Sequence, residues 1–251
     1  MDQLDLSVFL TAHGWVQLLT LTTLEIVLGI DNIIVISLLS GELPHEQQRS
    51  ARRTGLALAM ITRVLLLLSL SWMMRLIHPL FTVAGFTVTG KGLVLILGGL
   101  YLLYKSGMET YQAVELVEGK DGRRRKKSSF WWIVTQIILI DIVFSLDSVI
   151  TAVGMSNEIL IMVLAVIVAV LIMLVASDAI SSFVNRHASV KVLALAFLFI
   201  VGVVLVLDGI APEFAHRNHI KSYAYAAMGF SVVVEMLNLR LRANMRRSQG
   251  E

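Results

Sequence analysis

Cysteine is absent from the chain, which excludes disulfides, thiol catalysis and thiolate metal sites and leaves the redox compartment unmarked. Charge is scarce as well: 16% of the 251 residues are Asp, Glu, Lys or Arg, against about 25% in a soluble domain. So little polar surface cannot hold a chain of this length in water. Also missing are a phosphate-cradling glycine loop, a Gly-x-Ser-x-Gly elbow and a His-Glu-x-x-His pair. No enzyme signature and no nucleotide-driven step is therefore implied, and no cofactor; any transport must use an ion gradient or run downhill.

What is present instead is apolar sequence, 57% of the residues, arranged in runs. Stretches at 15–39, 54–77, 82–104, 131–154, 159–181, 191–210 and 222–239 approach or exceed the roughly 20 residues that a helix needs to cross a hydrocarbon core of about 30 Å. The reading is an all-α, polytopic helical membrane protein with seven transmembrane helices. The opening Asp2 and Asp5 lack the basic character of a secretory signal, so the first run reads as a retained helix. Only 105–130 resembles a linker, with Gly119-Lys120-Asp121-Gly122 followed by five consecutive basic residues at 123–127. It separates a first three-helix block, 1–104, from 131–251, which holds a second three-helix block, a seventh helix and a basic tail.

The net charge is only +3, but the basic residues are grouped. With the N-terminus outside, the inner segments hold Arg49, Arg52 and Arg53; Lys105, Lys120 and the 123–127 run; Arg186 and Lys191; and Arg240, Arg242, Arg246 and Arg247. The outer segments hold only Arg75, Lys91, Arg217 and Lys221. That asymmetry predicts an outer N-terminus and a cytoplasmic C-terminus. The 123–127 run reads as a cytoplasmic stop-transfer anchor rather than a nucleic-acid site, with Trp131 and Trp132 following at the interface.

Two segments resemble each other. A shift of 116 positions superposes Glu25 on Asp141, Gly29 on Ser145, Asp31 on Asp147 and Asn32 on Ser148. Each segment opens a block of three spans; three is odd, so the copies cross the membrane in opposite directions. An inverted 3+3 repeat with polar residues at midplane is the pattern of a secondary transporter.

Acids inside a span cost about 2.5–3.5 kcal/mol each and need a basic partner, a proton or a cation to offset them. At about 100° per residue, Glu25, Gly29 and Asn32 share one helix face, as do Asp141, Ser145 and Ser148. Asp31 and Asp147 lie about 120° away, so both acids of a pair reach one ligand only if the helix unwinds, which Gly29 permits, or if neighbours complete two sites. Carboxylate, amide, hydroxyl and carbonyl oxygens suit Mg²⁺, Ca²⁺ or Mn²⁺. The predicted metal ligands are therefore Glu25, Asp31, Asn32, Asp141, Asp147 and Ser148, with Gly29, Ser145, Glu235 and Arg63 as further candidates. Arg63 is the internal counter-charge for one acid, whereas Asp178, Asp208 and Lys91 fall near span ends and are expected to snorkel. His216 and His219 are placed in a solvated outer loop.

The motifs Leu-Glu-Ile-Val-Leu-Gly-Ile-Asp-Asn at 24–32 and Asp-Ile-Val-Phe-Ser-Leu-Asp-Ser-Val at 141–149 resemble the paired signature of the TerC family, named for tellurium resistance. The resemblance continues through Arg52–Ala59, Lys191–Ala196 and Glu235–Arg240 and covers nearly the whole chain. Asp178 departs from the family pattern, as does Ile220-Lys221-Ser222-Tyr223 where Pro-Lys-Gly-Tyr is expected. The resemblance implies a bacterial inner-membrane protein of a lysine-exporter-like group that exports a divalent cation, manganese above all, as cargo along the two acidic motifs. Membrane lipids and the cation are the expected partners, with no nucleic acid; a homo-oligomer is compatible with this reading, and no protein partner is specified. The competing functions are a non-transporting membrane partner of a stress-response or secretion complex, docked through 105–130, and an exporter of another small solute.

Overall fold

The computed structural model describes residues 9–69, 76, 78–83, 86–115, 128–155 and 158–248. Helix α1 spans Ala12–Ser40 and α2 His45–Leu68; two short strands, β1 (Pro79–Val83) and β2 (Phe86–Thr89), pair before α3 (Gly90–Glu115). Then come α4 (Phe130–Met155), α5 (Ile159–Arg186), α6 (Ala188–Ile210), the single-turn α7 (Pro212–Arg217) and α8 (Ile220–Ser248). Among the described residues seven long helices thus overlap the seven apolar runs of an all-α polytopic membrane protein. Four of them, α1, α5, α6 and the Ile220–Arg242 part of α8, are long and apolar enough to cross a membrane by length and composition alone. Charged and polar residues dilute α2 and α3, as at Arg49, Arg52, Arg53, Lys91 and Lys105.

Several boundaries differ from the sequence reading. Helix α3 runs on to Glu115, so the first part of the 105–130 segment is helical, and α8 runs on to Ser248, past the expected 239. Hydropathy marks the apolar part of a helix and not its polar continuation. The third span begins at Gly90 rather than 82, because Phe86-Thr87-Val88-Thr89 is a strand; aromatic and β-branched residues favour extended backbone, and hydropathy alone does not separate a strand from a helix. The second helix starts at His45 and ends at Leu68, ahead of the expected 77. The basic run at 123–127 lies outside the described residues.

Local chemistry sets the helix ends. Thr11 caps α1, its hydroxyl accepting from the Gly14 N–H at 3.1 Å. Pro44 precedes the first turn of α2, where its fixed φ of about −65° suits a helix entry.

The helices form two compact units: α1, α2, α4 and α5 in one, and α6, α7, α8 and α3 from Gly92 in the other. In the first, α1 packs chiefly on α5 and α2 chiefly on α4. Inward faces follow helical spacing: Gly55, Ala59, Arg63 and Leu67 on α2, and Ile133, Ile137, Asp141, Ser145 and Val149 on α4, are buried. Small residues bring the helices close. A Cβ on Gly29 would meet Met173 Sδ of α5 at 2.4 Å, and one on Gly55 would meet Ile137 Cγ2 of α4 at 2.8 Å. In the second unit α3 and α6 run antiparallel with Gly99 against Gly202 and Gly92 against Gly209; a Cβ on Gly99 would lie 2.7 Å from the Gly202 carbonyl oxygen. Such small-residue contacts are how membrane helices associate without a hydrophobic drive between them.

Candidate functional site

The inward faces of α1, α2 and α4 meet at Arg63. Its side chain is 3% exposed, and Glu25 and Asp141 are 2% and 6% exposed. One terminal nitrogen, Nη1, donates to Glu25 Oε2, and the other, Nη2, donates to Asp141 Oδ1 at 2.8 Å. Its Nε donates to Ser145 Oγ at 2.8 Å, and the Ser145 hydroxyl in turn donates to Asp141 Oδ2 at 3.1 Å. The planar guanidinium thus uses its three nitrogens on three side chains, two of them carboxylates.

Asn32 completes the group. Its Nδ2 donates to Asp141 Oδ1 at 3.1 Å, while its Oδ1 is buried and has no hydrogen-bond partner among the described residues. Buried acceptors are rarely left so. Ser148 is buried one turn further along α4, its hydroxyl donating to the Ser145 carbonyl oxygen at 3.4 Å. Glu25 and Asp141 carry two negative charges against one guanidinium. A single negative charge is left formally uncompensated, among buried side chains and next to the Asn32 oxygen.

Six of the ten candidate residues, Glu25, Asn32, Asp141, Ser145, Ser148 and Arg63, are therefore buried on the facing surfaces of α1, α2 and α4, and Gly29 lies on the same face of α1. Asp31 and Asp147 are helical, but their side chains lie outside the described residues. Glu235 belongs to α8 of the second unit, with its Oε1 buried and without a hydrogen-bond partner among the described residues. Among the described residues no three His, Asp or Glu side chains converge as a metal site. Arg63 was expected to serve one acid; it serves two.

Two acids read as snorkelling are instead ion-paired with neighbouring helices. Asp208, with its side chain 10% exposed, meets Lys221 Nζ at 3.0 Å in the second unit. Asp178 takes three arginines of α2: Arg49 Nε at 2.8 Å, Arg52 Nη2 at 2.9 Å and Arg53 Nη2 at 3.3 Å. The signal for the second cluster was present in the i, i+3, i+4 spacing of the arginines, which puts all three on one helix face.

Comparison with known proteins follows the same residues. A family model described as "Integral membrane protein TerC family" matches residues 10–250. A UPF0053 protein of Haemophilus influenzae is 49% identical over 93% of this chain and 97% of its own length. The UPF0053 inner membrane protein YgdQ of Escherichia coli K12 is 48% identical over 90% of this chain and 93% of its own. YoaE, an inner membrane protein of the same bacterium, is 46% identical over 94% of this chain, which spans only 45% of that relative. No solved structure matches.

Proposed function

We propose that this chain, which belongs to the TerC family of integral membrane proteins, is an inner-membrane transporter that exports a divalent metal cation, manganese above all. The observation that carries the reading is the Arg63 cluster. Two buried carboxylates on α1 and α4 share one guanidinium, beside the unpaired Asn32 oxygen. A structural ion pair needs one acid per base; here the second acid and the spare oxygen are hard donors of the kind that hold Mn²⁺ or Mg²⁺.

Arg63 keeps its charge at every accessible pH, so it cannot vacate the acids by losing a proton. In this mechanism it is the tethered cation of the empty carrier, and a divalent ion arriving along Asp31, Asn32 and Asp147 competes with it for Glu25 and Asp141. The α1–α5 and α2–α4 pairings exchange under the rotation that relates an inverted repeat, which supports two copies crossing in opposite directions. The asymmetry of basic residues supports an outer N-terminus and a cytoplasmic C-terminus.

The test is Mn²⁺ uptake into inverted vesicles. Asp31→Asn and Asp147→Asn should insert in wild-type amounts and lose uptake, because Asn keeps the shape and one oxygen but not the charge that offsets cation dehydration. Full uptake by both variants would refute the metal path. Normal uptake of an amino acid with none of Mn²⁺ would replace it with the solute-export reading.

A further inference from the structure

The Asp178 cluster has a geometry that a simple helix clamp does not need. Arg49, Arg52 and Arg53 lie on one face of the first turns of α2 and all donate to the one carboxylate of α5. Arg52 alone, its side chain 9% exposed, would join the helices. Arg49 and Arg53 are 63% and 53% exposed, and three guanidiniums against one carboxylate leave a formal charge of +2. Like charges held this close repel one another unless a second anion joins them. The Arg52 Nε is also buried without a hydrogen-bond partner among the described residues.

The position along α5 identifies the anion. The run Ile159–Ala176 contains no polar residue; at 1.5 Å per residue it is about 27 Å long, close to the thickness of the hydrocarbon core. Ser177 and Asp178 follow immediately, so the cluster sits at headgroup level. On the same side of α5, Val175 and Leu171 are 82% and 53% exposed, offering an apolar track that leads from the cluster into the core.

We infer that the Arg49–Arg52–Arg53 face is a binding site for the phosphate of an anionic phospholipid headgroup, whose acyl chain lies along Leu171 and Val175. Guanidiniums match phosphate oxygens in paired hydrogen bonds, and basic pockets between membrane helices hold such headgroups. Asp178 acts as the internal anion that keeps the three arginines together when the lipid is absent.

The experiment is a thermal-shift titration of the full-length protein in a neutral detergent. The additives are phosphatidylglycerol, phosphatidylcholine with the same acyl chains, and inorganic phosphate, each tested on wild type and on the Arg49→Gln/Arg53→Gln double variant. Phosphatidylglycerol should raise the melting temperature of wild type above the phosphatidylcholine value, with inorganic phosphate doing little at equal phosphorus. In the double variant, the phosphatidylglycerol concentration for the half-maximal shift should rise about 30-fold, the effect of two arginines near the membrane surface. Both residues are largely exposed, and the readout is a difference between lipids, so a change in basal stability does not affect it. Equal shifts with the two lipids, or an unchanged midpoint in the double variant, would overturn the site. A shift of the same size with inorganic phosphate would overturn the lipid assignment and make the ligand free phosphate.

Discussion

Arg63→Gln removes a guanidinium that faces two buried acids. Glu25 and Asp141 are 2% and 6% exposed, so neither gains solvation when the guanidinium goes. Breaking a buried pair by deleting one partner costs about 3–5 kcal/mol, out of a total stability of about 5–15 kcal/mol. At 1.4 kcal/mol per tenfold, the folding equilibrium falls between roughly a hundredfold and several thousandfold. Glu25→Gln is the informative contrast. It leaves Arg63 bonded to Asp141 and Ser145, each at 2.8 Å, and removes one charge-assisted hydrogen bond, about 1.5–3 kcal/mol. Deleting the base should therefore be costlier than deleting an acid. The neutral triple variant Arg63→Gln/Glu25→Gln/Asp141→Asn should recover most of the loss, since all three charges of the cluster are gone and amides can still hydrogen-bond to one another. The assay is membrane abundance together with melting temperature in detergent, with and without Mn²⁺. If the acids form a cation site, Mn²⁺ at a hundred times its Kd should stabilise Arg63→Gln by about 2.7 kcal/mol, and wild type by less. Wild-type stability of Arg63→Gln, or a larger loss in Glu25→Gln, would refute the counter-ion role.

Three other outcomes are expected. Gly99→Ala places a Cβ 2.7 Å from the Gly202 carbonyl oxygen, whereas one on Gly107 meets nothing within 4 Å. Gly99→Ala should lower stability by about 1–3 kcal/mol and Gly107→Ala should raise it by about 0.5–1 kcal/mol, read as opposite shifts in melting temperature. Lys221→Gln removes the 3.0 Å partner of a carboxylate only 10% exposed and should cost about 1–3 kcal/mol; adding Asp208→Asn should return part of it in a double-mutant cycle. Because the chain has no cysteine, Ser129→Cys and Glu213→Cys can be labelled singly with an impermeant maleimide. The first should react only from the cytoplasmic side and the second only from outside.

The sequence by itself determined what depends on local spacing and solvent. Low charge and long apolar runs set the membrane class and the seven helices, because a bilayer admits few other structures. Helical periodicity put Glu25, Gly29 and Asn32 on one face and Asp141, Ser145 and Ser148 on another, and all six residues are buried. The three arginines of α2 were equally legible as a single charged face, but not their partner.

Tertiary structure decided which faces meet. Arg63 lies 38 residues from Glu25 and 78 from Asp141, and nothing in the hydropathy of these helices says that one guanidinium bridges both acids. Apolar helices in lipid have no directional attraction; close approach at glycines and satisfaction of polar groups select the pairing. That α1, α2, α4 and α5 pack as one compact unit is likewise not legible in chain order. Asp178 and Asp208 looked like span-end acids because distance along a helix measures depth in the membrane and not what stands opposite. Only the packing of α5 on α2, and of α6 with α8, supplied their cations.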